Sequence, residues 1–170
     1  AIYRYAKLDL FTKGDTEQFF RDVNSKNKNY HYINACAKFG IFKGDEQGNF
    51  NSDDKMKFGY AITSLLNLLG YGEYAAHLGD YPVGIISCAS EIRLTDGISR
   101  TYNENITKRD FIKMLYNALD AKIMTSYLSG TSNIVFDNNG NNTFASTFLG
   151  LRKIEGDVCG DSSIVIADCE

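Results

Sequence analysis

An internal repeat constrains this chain more than any other feature. The stretch from about Phe20 to Gly70 can be laid over the stretch from about Tyr71 to Leu119, a period of roughly fifty residues. In the first, Ile33-Asn-Ala-Cys-Ala-Lys-Phe39 leads into Gly40-Ile41-Phe42-Lys43-Gly44; in the second, Ile86-Ser-Cys-Ala-Ser-Glu-Ile92 leads into Arg93-Leu94-Thr95-Asp96-Gly97. Further on, Leu65, Asn67 and Leu69 face Leu115, Asn117 and Leu119. A unit of this length cannot bury its apolar face alone, so the units must pack on each other.

Each unit reads as two amphipathic helices joined by a glycine-containing loop. Ile33, Cys36, Ala37 and Gly40 recur at spacings of three and four, and Ala61, Leu65, Leu68 and Leu69 repeat that stripe before Gly70 stops the helix. In the second unit Pro82 takes a first-turn position with Asp80 as its cap, and Phe111, Met114, Leu115, Ala118 and Leu119 form the closing stripe. The pattern predicts helices near 29–39, 55–69, 82–92 and 108–119. Ile2, Tyr5, Ala6, Asp9 and Leu10 read as the latter part of an uncapped amphipathic helix, so the chain reads as a piece of something longer, with any export signal upstream.

After Leu119 the character changes to Asn and Gly clusters and short β-branched runs, and strands are expected largely after residue 130. Asn139-Gly140 between Ile134-Val-Phe136 and Thr143-Phe144 predicts a hairpin. The expected class is mainly α (α+β): tandem helix-loop-helix repeats forming a bundle, with a small C-terminal β extension. Residues 1–120 make the helical part, with 1–19 the end of a preceding unit and 20–70 and 71–120 the two units; 121–170 is a β-rich extension or the start of a following domain.

With 44% hydrophobic residues and 23% charged, the composition is that of a folded protein rather than a disordered one. A net charge of −3 argues against a nucleic-acid partner or an anionic membrane surface. No apolar run reaches the length of a membrane span. Cys36, Cys88, Cys159 and Cys169 lack CxxC spacing, and His31 and His77 are the only histidines, so neither a metal nor a cofactor is expected.

The first unit carries Phe20-Arg-Asp22-Val23, then Tyr30, Ile33 and Ala37, Gly40-Ile41-Phe42-Lys43-Gly44, and Gly48-Asn49-Phe50 before an acidic helix start. This resembles the S-layer homology repeat, whose pattern runs Phe-x-Asp-Val, a helix, Gly-Ile-x-x-Gly, a Gly-x-Phe turn and a Thr-Arg-Ala-Glu helix start. The second unit, with Tyr81-Pro82-x-Gly84-Ile85, Leu94-Thr95-Asp96-Gly97, Ile106-Thr-Lys-Arg-Asp-Phe111 and Leu115-Tyr-Asn-Ala-Leu119, resembles variant repeats of clostridial-type surface proteins. The resemblance covers roughly residues 1–120. It implies an extracellular, cell-wall or cell-surface protein without catalytic residues. Its partner would be a secondary cell-wall polysaccharide or a neighbouring surface-layer protein, and the alternative is an accessory domain of a surface enzyme or adhesin that has lost polymer binding.

Thr107 at the start of the last helix can cap it while Asp110 reaches back to complete a capping box. Lys108 and Arg109 then lie in the first turn. The resemblance makes Thr107, Lys108, Arg109 and Asp110 the candidate site for an acidic cell-wall polymer; two solvated charges at the positive helix end are the competing reading. In the first unit, Met56-Lys57-Phe58-Gly59-Tyr60 lacks both the threonine cap and the charged partners.

Other motifs read as structure. Asp22 is expected to be a local cap for backbone amides rather than a catalytic acid. Asp45 to Asp54 is oxygen-rich but lacks calcium-loop spacing and reads as a turn; Asp137 to Asn142 reads similarly, with calcium left as an alternative. No nucleophile motif accompanies either histidine. Cys36 and Cys88 fall on buried helix faces and read as free thiols rather than a redox pair, whereas Cys159 and Cys169 flank a strand-like run that a disulfide could close.

Overall fold

The computed structural model describes residues 2–6, 8, 17–128, 133–137 and 141–151. Their order is α1 (Ile2–Tyr5), α2 (Tyr30–Lys38), α3 (Phe58–Leu68), α4 (Gly72–Leu78), α5 (Val83–Glu91), α6 (Lys108–Ala118), β1 (Met124–Leu128) and β2 (Asn133–Phe136), followed by a short π-helical turn at Ala145–Leu149. The fold is mainly helical with a small two-stranded sheet. Among the described residues no helix is long and apolar enough to cross a membrane.

Two corners that align in the sequence have the same backbone closure. Helix α2 ends where Gly40 enters the left-handed region at φ 68° and Ile41 N–H reaches back to the Cys36 carbonyl at 2.9 Å. Helix α5 ends identically, with Arg93 at φ 60° and Leu94 N–H donating to the Ala89 carbonyl at 2.8 Å. This backbone closure buries the next apolar residue, Ile41 in one unit and Leu94 in the other. The aligned asparagines then tie each second helix to that corner. Asn67 Nδ2 donates to the Ile41 carbonyl at 3.4 Å, and Asn117 Nδ2 donates to the Leu94 and Asp96 carbonyls, both at 3.0 Å.

Helix α3 forms the centre of the bundle. Ala61, Ile62, Leu65 and Leu66 on it are buried, together with Leu69 just beyond its end. Cys36, Cys88, Leu94, Met114 and Phe144 join the same core, while Phe20, Val23 and Ile33 form a smaller cluster beside it. At Gly84 the chain crosses α4 so closely that a Cβ would lie 2.1 Å from the Ala75 carbonyl oxygen and 2.3 Å from that of Gly79. Only glycine fits there without moving a helix.

Several expectations are corrected. Helix α4 leaves no periodic signal in the sequence, because seven residues are too few to show a period. Helix α3 begins at Phe58, not near 55; α1 covers Ile2–Tyr5, and Asp9 and Leu10 of the expected first helix lie outside the described residues. Pro82 occupies the position before α5, which has no side-chain cap; Asp80 contributes its backbone carbonyl to Gly84 N–H at 3.1 Å. Ile134 to Phe136 do not pair forward with Thr143-Phe144. They pair antiparallel with β1, which begins before residue 130, while Thr143 bridges Lys122. Phe144 is instead a core residue stacked on Tyr5 at 4.5 Å, and the Tyr5 hydroxyl donates to the Leu115 carbonyl at 2.7 Å. Burial of an aromatic with a β1 strand already available outweighs the local Asn-Gly turn signal. Asn139, Gly140, Cys159 and Cys169 lie outside the described residues.

Candidate functional site

Helix α6 starts in the way its sequence requires. Thr107 is the N-cap, with extended backbone at φ −87° and ψ 161°. Its Oγ1 accepts from Asp110 N–H at 3.1 Å, and the Asp110 carboxylate accepts from Thr107 N–H at 3.1 Å and from the Thr107 hydroxyl at 2.8 Å, completing the capping box. Arg100 Nε donates to the same carboxylate oxygen. The Thr107 hydroxyl first, and the Arg100 guanidinium after it, hold the Asp110 carboxyl below the usual carboxylate range. Asp110 is therefore consumed by the helix start. Lys108 and Arg109 project from the first turn, exposed, and Arg109 lines a shallow groove of about 490 Å³ with Lys113, Ile112 and Tyr116. Two cations and an exposed aromatic on one helix face suit an anionic ligand in charge and a sugar ring in shape.

The corresponding start in the first unit is built differently. Lys57 is the N-cap of α3, with no side-chain cap. The first-turn amides are taken by the other unit: Phe58 N–H donates to the Glu104 carbonyl at 2.8 Å and Gly59 N–H to the Tyr102 carbonyl at 2.9 Å, with Ile106 N–H returning to Met56 O at 3.0 Å. Glu104 is itself fixed, since its carboxylate accepts from Thr101 N–H, which holds its carboxyl low. This helix end is closed by protein carbonyls and has no amides left on those two residues for an external anion.

Asp22 is structural, as expected, but its reach is long. Its two carboxylate oxygens accept from Phe50 N–H and Asn51 N–H, each at 2.7 Å, across 28 and 29 residues. Asp45 organises its own turn, accepting from Gln47 N–H at 3.0 Å and Asn49 N–H at 2.8 Å. Cys36 and Cys88 are buried free thiols, and burial pushes both up to about 12. Among the described residues no three His, Cys, Asp or Glu side chains gather as a metal site would require.

Residues 19–59 match the S-layer homology domain. The chain carries an S-layer homology domain. Three relatives agree with that assignment. A middle cell wall protein of Brevibacillus brevis is 31% identical over 126 residues, covering 74% of this chain and 11% of that protein. A cell surface protein of Thermoanaerobacter kivui is 27% identical over 111 residues, 65% of this chain and 14% of that protein. A surface layer protein of Brevibacillus choshinensis is 29% identical over 112 residues, 66% of this chain and 10% of that protein. The chain thus spans a small fraction, 10% to 14%, of the relatives it matches. No solved structure matches it significantly.

The matched S-layer homology segment ends two residues into α3, at the helix start whose amides the second unit closes. Two features of this site were not legible in the sequence. Arg100 reaches Asp110 from an irregular loop, with no periodic signal to mark it. The carbonyls of Tyr102 and Glu104 carry no residue signature at all, although a lysine standing where a cap belongs implies that some other group must satisfy α3.

Proposed function

We propose that this chain is a non-catalytic cell-surface module that holds a longer exported protein to an acidic cell-wall polysaccharide, or to a neighbouring surface-layer protein. We divide it into the end of a preceding unit at 1–19, repeats at 20–70 and 71–120, and a β-containing extension at 121–170. The observation that carries the reading is the α6 start, where a complete capping box leaves Lys108 and Arg109 exposed, Arg109 sharing a groove with Lys113 and Tyr116, within a chain that carries an S-layer homology domain. The names of the relatives, a middle cell wall protein and a surface layer protein, support a place at the extracellular surface. Thr107 and Asp110 build the helix start, and Lys108 and Arg109 supply the charge for the polymer.

A second reading is favoured by one specific observation. The α3 start lacks its cap and is closed by Tyr102 and Glu104, so the first unit has given up that position as a ligand site. On this reading the module orients a neighbouring domain and binds no polymer. Co-sedimentation with purified cell-wall polymer separates the two. The first predicts that the 170-residue chain pellets with polymer and that the double variant Lys108→Ala/Arg109→Ala stays in solution while retaining its fold. Equal pelleting of variant and parent would remove the α6 start from the binding reaction.

A further inference from the structure

Helices α2 and α5 are counterparts. Each has nine residues, and each runs into the same closed corner, with Ile41 N–H on the Cys36 carbonyl in one and Leu94 N–H on the Ala89 carbonyl in the other. That register pairs Tyr30 with Val83, Ile33 with Ile86, Asn34 with Ser87 and Ala37 with Ser90, positions spaced along one helix face. In α2 this face is covered. Ile33 is 5% exposed and packs with Phe20 and Val23, Tyr30 and Ala37 pack against the same cluster, and the buried Asn34 Oδ1 accepts from Phe19 N–H at 2.9 Å. In α5 it is bare: Val83 is 61% and Ile86 43% exposed, and Ser87 and Ser90 are exposed with them.

The cause lies in the segment before each helix. Residues 19–23 run irregularly against α2 and carry Phe20 and Val23 onto it. At the same register in the second unit, residues 72–76 belong to α4, which meets α5 on a different side, where Gly84 lies against the Ala75 carbonyl. The polar task of the first-unit segment is done locally in the second. Asp22 accepts from Asn51 N–H, in a turn where Asp54 N–H donates to the Asn51 carbonyl. In the counterpart turn Glu104 N–H donates to the Thr101 carbonyl, and the Glu104 carboxylate itself accepts from Thr101 N–H. The second unit thus closes its own turn without a covering segment and leaves the apolar seat on α5 open.

The rim of this seat is acidic. Helix α5 ends on Glu91 where α2 ends on Lys38, the exposed Asp80 precedes it, and Arg93 beyond it is paired with Asp96 at 2.7 Å. We infer that the outer face of α5 docks an extended segment of another protein, an aromatic residue followed three positions on by a β-branched one, with basic flanks. The first unit shows the mode of covering, since Phe20 and Val23 fill the same place on α2. Ser87 stands where Asn34 receives a main-chain N–H, so its hydroxyl is placed to accept one from the docked segment. Two aliphatic side chains and an acidic rim suit an apolar, basic polypeptide and repel an anionic glycan. The seat lies apart from the α6 start, and it stands whether or not that start binds polymer.

Nuclear magnetic resonance titration of the isotope-labelled 170-residue chain tests this directly. The probe is a peptide copied from residues 17–24 with Glu17→Lys and Asp22→Lys, which keeps Phe20 and Val23 and makes the flanks basic. The expected result is saturable shifts at Val83, Ile86, Ser87 and Ser90, weakened at least tenfold when the peptide also carries Phe20→Ser and Val23→Ser. The chain variant Val83→Ser/Ile86→Ser should weaken binding by at least tenfold as well, whereas Lys108→Ala/Arg109→Ala should leave it unchanged. Shifts absent from α5, shifts centred on Ile33 because the peptide displaces the chain's own segment, or equally tight binding of the unsubstituted acidic peptide would each overturn the proposal. Shifts at Val83 and Ile86 that grow with chain concentration, without peptide, would give the face to a second copy and overturn it too. Because both residues are exposed, the Ser variant keeps its dispersed spectrum; a collapsed spectrum would show the face to be structural and count against docking.

Discussion

Replacing Thr107 with Ala isolates the helix start from everything it binds. The substitution removes the oxygen that accepts from Asp110 N–H at 3.1 Å and the hydroxyl that donates to the Asp110 carboxylate at 2.8 Å. Loss of an N-cap costs about 1 kcal/mol, and in a chain of this size that lowers Tm by about 2–4 °C. Asp110→Ala removes the partner of Thr107 N–H and of Arg100, so the two substitutions combined should cost less than their sum. The box also has a pH signature. The Asp110 carboxyl ionises more readily in the folded chain than in the unfolded one. Its contribution is complete above the unfolded carboxylate range and is lost as pH falls through the folded value. Urea melts of the parent, Thr107→Ala, Asp110→Asn and the double variant, repeated from neutral to acid pH, check all of this. Strict additivity, or an Asp110→Asn deficit that persists undiminished at strongly acid pH, would refute the reciprocal box.

Three other outcomes are expected. Gly84→Ala forces its Cβ against the Ala75 and Gly79 carbonyls and should destabilise by about 3 kcal/mol; Gly40→Ala, with open space but φ 68°, should cost only about 1–2 kcal/mol, and thermal melts rank the two. Asp22→Ala strips the acceptor from Phe50 N–H and Asn51 N–H, so hydrogen exchange at those two amides should accelerate on the order of tenfold; unchanged exchange would show the turn to be held by other contacts. Cys36 and Cys88, buried and pushed up to about 12, should resist a thiol reagent at neutral pH until the chain unfolds; rapid native-state labelling would contradict their burial.

How much of this was legible depended on whether the signal was periodic or local. The stripes at Ile33 and Cys36, at Ala61 and Leu65, and at Met114 and Ala118 are recurrent apolar positions, and they mark core helices correctly. Thr107 and Asp110 lie three residues apart, so their mutual capping is fixed by helix geometry alone. The turn at Asn139-Gly140 is equally local, but the partner of Ile134 to Phe136 is decided by which strand is already docked. Met124 N–H is bonded to the Leu69 carbonyl at 2.9 Å, which places β1 on the bundle first in space. Asp22 to Phe50 and Arg100 to Asp110 are contacts between irregular segments, and such contacts leave no pattern in a sequence.

The closure of α3 by the neighbouring loop changes what these two units are to one another. Duplicated segments are ordinarily interchangeable parts, free to be shuffled, trimmed or transplanted. Here one copy lacks a terminus of its own and is finished by its sibling through Phe58, Gly59 and Ile106. Cutting the chain near residue 71 would yield a first half with two bare amides at its central helix and a second half with a loop that has nothing to grip. The inheritable unit is therefore the pair. An uncapped Lys57 is accommodated only while Tyr102 to Glu104 hold their path, which ties together two segments that look independent when written as a line of letters.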